Sequence, residues 1–168
     1  MENLQKIISE IIAEFIPNFM SVDEISRLSG GSSNESWKID INTKEDKKIL
    51  VFRRTPGGNL KDEESNNFVD IADEAKVMDI AKDFDVPVPE ILKVINHKDI
   101  GKGFFMQFIK GETLGNRIVN NKEFEKVRPR LAEKCGEIIA NIHKIPISKF
   151  NNIRISEAEE ELSRYEEV

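Results

Sequence analysis

The sequence predicts an α+β fold, in which a five-stranded antiparallel sheet with one inserted helix leads into a purely helical segment. Two observations predict it. Segments of alternating or continuous apolar residues, typical of strands, occur up to about residue 109. Farther along, apolar residues recur only at the three- and four-residue spacing of amphipathic helices. We therefore divide the chain into a mixed α+β unit at 1–109 and a linker with the beginning of a helical unit at 110–168.

The first predicted element is an amphipathic helix over 2–16, which ends before Pro17. Its apolar residues recur at helical spacing: Leu4, Ile7, Ile8, Ile11, Ile12, Phe15 and Ile16. A strand is expected next, around 24–28.

The second and third strands differ in pattern. Apolar and polar residues alternate over 37–41, which predicts a strand with one buried face. The segment "ILVFRR" at 49–54 is almost wholly apolar before its two arginines, and "TPGGN" breaks it. A helix is expected over 68–84, since its apolar residues lie mostly three or four apart.

Two further strands are predicted at 90–95 and 103–109, joined as a hairpin by "NHKDIGK". A long helix then covers 127–145. We expect its buried side to consist of the apolar residues Leu131, Cys135, Ile138, Ile139 and Ile142.

Composition excludes several classes of protein. The 168 residues carry a net charge of −6 with the lysines scattered among acids, which argues against a nucleic-acid partner. No apolar run approaches the roughly 20 residues of a membrane helix. One cysteine and two histidines offer neither a disulfide nor a metal-ligand cluster. The first helix contains acidic residues and lacks a basic leader, so we expect a cytoplasmic location.

A loop of small residues lies between the first two strands. It consists of Gly30, Gly31, Ser32, Ser33 and Asn34. Without large side chains, backbone N–H groups and hydroxyls can approach phosphate oxygens closely. Taken alone, however, such a loop is also typical of a plain hairpin connection.

A cation and a carboxylate follow this loop along the chain. Alternation on the third strand places Val51 and Arg53 on one face, and Phe52 and Arg54 on the other. Glu74 lies at the centre of the inserted helix, where it could hold Arg53 in a bidentate ion pair that lysine could not form. The alternative interpretation is that both arginines are exposed at a strand end, and that Glu74 is one solvated acid among several.

The combined motifs resemble the aminoglycoside/choline-kinase type of phosphotransferase, a family with a protein-kinase-like fold. The similarity is carried by "RLSGGSSNESWKIDI", "LVFRRTPGG", "DEAKVMDIAKDFDVPVPEIL", "GKGFFMQFIKGETL" and "RLAEKCGEIIANIHKI". It is greatest to the subgroup related to kinase-like domains of certain acyl-CoA dehydrogenase fusions. Arg53, where the broad family has lysine, fits that subgroup. The resemblance implies a kinase-like N-lobe, preceded by a helix and followed by the first helices of an incomplete C-lobe.

The resemblance also implies roles for individual residues. The loop from Gly30 to Asn34 would position the nucleotide phosphates, and Arg53 with Glu74 would form the strand-cation and helix-glutamate pair of kinases. The strand-end segment of Gln107, Phe108 and Ile109 would be the hinge whose backbone binds the purine of ATP or GTP.

The family's catalytic loop, a histidine-glycine-aspartate followed by asparagine, does not occur in this sequence, and neither does its later metal-binding aspartate. We therefore expect no metal site here, and Mg²⁺ binding only where a complete C-lobe supplies these groups. Two functions remain open: the nucleotide-binding portion of an enzyme that phosphorylates a small-molecule hydroxyl, inactive by itself, or a non-catalytic nucleotide-binding or protein-interaction module. Apolar residues of 138–145 and of the acidic tail, left uncovered, predict self-association.

Overall fold

A computed structural model describes residues 2–28, 34–55 and 70–151, together with positions 153, 159, 162 and 163. Its strands are β1 (Phe19–Arg27), β2 (Glu35–Thr43), β3 (Lys47–Arg54), β4 (Ile91–His97) and β5 (Gly101–Gln107). Its helices are α1 (Glu2–Phe15), α2 (Ile71–Lys82), α3 (Gly115–Asn120) and α4 (Arg128–His143). Single 3-10 turns occur at Lys122–Phe124 and Ile147–Phe150.

The five strands form one antiparallel sheet of order β1-β2-β3-β5-β4. With α1 in front, α2 inserted after β3 and helices after β5, the predicted α+β architecture is confirmed. None of the described helices combines the length and the apolar character that a membrane span requires.

The main core lies between α1 and one face of the sheet. The apolar stripe of α1 buries Ile8 and Ile12 completely. Phe52 and Phe105, from the adjacent strands β3 and β5, stack under this helix with their ring centroids 4.6 Å apart. Burial of such aromatic and branched side chains stabilises a fold by about 1.5–3 kcal/mol each. Phe52 therefore fixes which face of β3 is turned away from α1.

A smaller core lies on the opposite face, under α2. Ile71 and Ala75 of α2 pack on Phe104 of β5. Phe104 and Phe105 are consecutive residues, and each is fully buried in a different core. The alternation of side chains along a strand thus joins both helices to one sheet.

Element boundaries differ from expectation where strand pairing departs from regular alternation. β1 begins at Phe19 rather than near residue 24, and irregularities in its pairing with β2 fall between Phe19 and Ser21 and between Val22 and Glu24. Such bulges interrupt the two-residue periodicity by which a strand is recognised. The last strand is predicted to reach residue 109, but β5 ends at Gln107, so Phe108 and Ile109 lie beyond it.

The residues expected on the inner side of α4 are not buried in the described structure, which agrees with the expectation that the apolar residues of 138–145 are uncovered but not with a buried Leu131 and Cys135. Cys135 is exposed, and so are Leu131, Ile139 and Ile142, with Ile139 retaining 51% of its accessible surface. The helical spacing was correct, but no described element covers this apolar face. Periodicity identifies an apolar face without identifying what packs on it.

Gly103 allows β5 to approach β3 closely. A Cβ at this position would lie 2.5 Å from the carbonyl oxygen of Arg53 and 2.8 Å from a ring carbon of Phe52.

We expect Gly103→Ala to lower the free energy of unfolding by about 1–3 kcal/mol, because β3 or the ring must shift. Urea unfolding measures this. Gly111→Ala is the matched control, since nothing lies within 4 Å of a Cβ there; equal midpoints for the two variants would contradict the prediction.

Candidate functional site

Arg53 and Glu74 form an ion pair on the face of the sheet opposite α1. The Nε of Arg53 donates to Oε1 of Glu74 at 2.7 Å. The two side chains are 27% and 32% exposed, respectively. The pair is thus partly shielded from solvent but remains reachable by a ligand.

The packing of α2 on the sheet brings these two residues together. Phe104 lies opposite Arg53 in the β3–β5 register and also carries Ile71 and Ala75 of α2. Ala75 packs on Phe104, and the carboxylate of the neighbouring Glu74 reaches Arg53 on β3. The side chains of the core therefore place the carboxylate beside the guanidinium.

The pair is not bidentate, which corrects the expected geometry. Arg53 uses Nε for Glu74 and Nη1 for Oγ of Ser36, at 3.3 Å, its cross-strand neighbour on β2. The second oxygen of Glu74 accepts instead from Nδ2 of Asn34, at 3.3 Å. Nη2 of Arg53 has no partner among the described residues.

Asn34 is the one member of the predicted loop inside the described residues. Gly30, Gly31, Ser32 and Ser33 lie outside them. The Oδ1 atom of Asn34 is buried and has no hydrogen-bond partner in the described part of the chain. A buried acceptor left unpaired is destabilising by about 1–3 kcal/mol, so this oxygen is suited to accept from a water molecule or a ligand.

Val51 lies on the same face as Arg53, two residues earlier in β3. Its cross-strand neighbours are Lys38 on β2 and Met106 on β5. Lys38 is turned to Asp40 of its own strand, with an Nζ–Oδ2 distance of 2.7 Å. Val51 itself is buried, with 5% of its surface exposed, so the α2 face of β3 combines a buried apolar residue with the partly exposed Arg53.

The predicted hinge begins where β5 ends. The N–H of Gln107 donates to the carbonyl of Glu90 at 2.9 Å. The N–H groups of Phe108 and Ile109 donate to no backbone carbonyl of the described residues. Within the described part of the chain these two N–H groups thus have no backbone partner, whereas the N–H of Gln107 is already used.

A second charged cluster, centred on Glu35, was not found from the sequence. Its carboxylate accepts from Nε of Arg54 at 3.0 Å and from the Trp37 indole at 3.2 Å. Arg27 lies 3.6 Å away. Arg54 and Glu35 are each only 11% exposed, so the expectation of an exposed Arg54 is wrong. The two-residue spacing of Glu35 and Trp37 on β2 is the signal that could have indicated it.

The N-terminus of α2 is held by Asp70. Its Oδ1 accepts the N–H of Ala72 at 2.8 Å, and Oδ2 accepts from Lys102 of β5 at 3.0 Å. Burial raises the pKa of Asp70, but the bonds from Ala72 and Lys102 outweigh it and the pKa is lowered overall. This N-cap fixes where the helix that carries Glu74 begins.

No group of three or more histidine, cysteine, aspartate or glutamate side chains that could hold a metal ion occurs among the described residues.

The chain was compared with known proteins. The model of a phosphotransferase enzyme family matches residues 24–167. A comparison with curated proteins gives no match.

Solved structures with the same fold include aminoglycoside 2'-phosphotransferase-IIIa in its GDP complex, with 15% identity, a TM-score of 0.63 and coverage of 97% of this chain and 50% of that one. The GDP complex of a mutant of that enzyme, at 15% identity, has a TM-score of 0.62 and the same coverage. A Ralstonia eutropha JMP134 protein, provisionally described as an aminoglycoside phosphotransferase, is 18% identical with a TM-score of 0.57. In that case 87% of this chain and 40% of the other are covered. The chain thus spans half or less of the length of these structures.

Stability should depend on the charge of Asp70. Because its pKa is lowered on folding, its contribution is present above about pH 4 and is lost as the pH falls through the lowered value. Asp70→Asn keeps a capping oxygen but does not titrate. We expect it to be less stable than the wild type near pH 7, by at most about 1 kcal/mol because the site is exposed. Urea unfolding at a series of pH values should show this difference shrinking in acid; a constant difference would contradict the prediction.

Proposed function

Because the chain belongs to the phosphotransferase enzyme family, we propose that it is the nucleotide-binding portion of an enzyme that moves the γ-phosphoryl group of ATP or GTP to a small-molecule hydroxyl. One observation carries the proposal: Arg53 is held by Glu74 and Ser36 with Nη2 unoccupied among the described residues. A fixed guanidinium with a free pair of N–H bonds suits a phosphate oxygen.

The phosphate site would have two sides. Arg53 supplies positive charge from β3, and the loop of Gly30, Gly31, Ser32 and Ser33, which ends at Asn34, would supply backbone N–H groups. Charge on the transferring phosphoryl group is stabilised mainly by such fixed donors. Glu74 acts by orienting Arg53 and does not itself contact the nucleotide in this proposal.

The purine would lie beside the phosphate site, between Val51 of β3 and the segment that follows β5. Val51 would contact its ring, and the unpaired N–H groups of Phe108 and Ile109 would donate to its edge. Both ATP and GTP have acceptors on that edge. Two structures of the same fold are GDP complexes, which supports GTP as a second candidate for the phosphoryl donor beside ATP.

Phosphoryl transfer itself would require a complete helical lobe. An aspartate must orient the acceptor hydroxyl, and carboxylates must hold Mg²⁺. The described residues contain no such cluster. We propose that this chain binds nucleotide but does not transfer phosphate by itself. We also propose that it is located in the cytoplasm.

The acceptor is proposed from resemblance. Similarity to the subgroup related to acyl-CoA dehydrogenase fusions supports a hydroxy acid or a hydroxyacyl thioester rather than an aminoglycoside.

Nucleotide binding tests the proposal directly. Calorimetric titration with ATP and with GTP, each with and without Mg²⁺, should give binding that Arg53→Ala weakens roughly tenfold or more, since a charge-assisted bond to phosphate is lost. Arg130→Ala is the control, because Arg130 is an exposed arginine of α4. No binding by the wild type would refute the proposal. Tight binding without Mg²⁺ would favour the alternative of a non-catalytic nucleotide-binding module.

The exposed apolar face of α4 leads us to propose self-association. Ile139 and Ile142 lie on it, with Leu131 about two to three turns earlier. Sedimentation at increasing concentration should show dimers or larger species, and Ile139→Glu should reduce them because a charge disfavours the apolar contact. Glu137→Gln, on the same helix, is the control. A wild type that remains monomeric would contradict this proposal.

A further inference from the structure

The side chain of Asn34 has an unexpected partner. A residue of the phosphate loop would be expected to turn to the ligand, but Nδ2 of Asn34 donates to Oε2 of Glu74 at 3.3 Å. Oε1 of the same carboxylate accepts from Nε of Arg53 at 2.7 Å. Each oxygen of Glu74 therefore has its own donor, one from the loop end and one from β3.

Because the two oxygens of Glu74 accept from different donors, Arg53 binds this carboxylate through one nitrogen only. A free glutamate can accept from two arginine nitrogens at once in a parallel fork. The hydrogen bond from Asn34 directs Oε2 toward the loop end, and Arg53 binds Oε1 alone. The guanidinium is planar and its five N–H directions are fixed relative to one another. Since Nε is held by Glu74 and Nη1 by Ser36, the direction of Nη2 is fixed as well.

We propose that Asn34 is a positioning residue that acts through Glu74. By occupying Oε2 it keeps Glu74 from forming a fork with Arg53, and so leaves Nη2 available to a nucleotide phosphate. It also links Asn34, directly before β2, to Glu74 of α2. This inference rests on the proposed nucleotide-binding function and assigns Asn34 a role in it other than direct contact.

The sequence offers an isosteric variant that tests the role. Asn34→Asp replaces the donor with a carboxylate beside Glu74. Two ionised carboxylates repel each other, whereas at lower pH they can share a proton and restore a hydrogen bond. The charged groups in contact are Glu74 of α2 and, through it, Arg53 of β3. A purely structural role would not produce this pH dependence of ligand binding.

The experiment is calorimetric titration of the full chain with MgATP and MgGTP from about pH 8 to about pH 5. We expect Asn34→Asp to bind roughly tenfold more weakly than the wild type at the alkaline end, because a displaced Glu74 would no longer direct Nη2 of Arg53 to the phosphate and a charge-assisted bond would be weakened. The ratio of wild-type to variant affinity should approach one as the pH falls. Using this ratio at each pH cancels the titration of the nucleotide itself.

Asn42→Asp is the matched control. Asn42 lies on β2 and, like Asn34, donates through Nδ2 to a carboxylate, that of Asp23, but in an exposed position. The chemical change is the same, so its affinity ratio should stay at one throughout.

Each outcome has a separate meaning. A wild type that binds neither nucleotide overturns the proposed function, and the inference with it. A wild type that binds, with an Asn34→Asp ratio equal to that of Asn42→Asp or constant with pH, overturns the inference alone. Circular dichroism establishes that the variants fold. If Asn34→Asp does not fold, Asn34→Ala should weaken binding by a factor independent of pH, and unchanged affinity would overturn the inference.

Discussion

The alternation of side chains along β3 is the constraint on which the rest of the structure depends. Phe52 is fully buried under α1, so its neighbour Arg53 must lie on the other face, where α2 packs. A shift of the strand by one residue would bury the arginine and expose the phenylalanine. The close approach of β5 at Gly103 opposes such a shift. The position of a cation beside a carboxylate is therefore set by hydrophobic burial on the opposite side of the sheet.

Two consecutive arginines follow this alternation into different environments. Arg53 meets Glu74 on the α2 face, with one terminal nitrogen left unpaired among the described residues. Arg54 meets Glu35 on the α1 face, where the guanidinium also lies 5.7 Å from the centre of the Trp37 ring. Breaking a pair as buried as Arg54 and Glu35 would leave an unpaired charge, which is strongly destabilising. Arg54 thus joins β2 to β3 through Glu35, while Arg53 is the residue that we propose for phosphate binding.

The two parts of the chain differ in how completely they are packed. The sheet with α1 and α2 contains the buried apolar residues of both cores, whereas α4 has none that is fully buried. The polar contact from Asn141 to the carbonyl of Asp85, at 3.3 Å, joins α4 to the end of α2. Nucleotide binding belongs to the well-packed part in our proposal, and the helical part presents an apolar face suited to a further protein surface.

The sequence by itself determined the order of elements, the stripe of α1 and the opposite placement of Phe52 and Arg53, because periodicity is a property of neighbouring residues. It also indicated the pairing of Arg53 with Glu74, although the alternative of two solvated charges remained open until the structure showed the contact. Only the tertiary structure decided that Asn34 takes the second oxygen of Glu74, that Arg54 is buried against Glu35, and that Cys135 is exposed. These features depend on strand register, on bulges and on the packing of helices across the sheet, which bring together residues far apart in the chain and leave no local pattern.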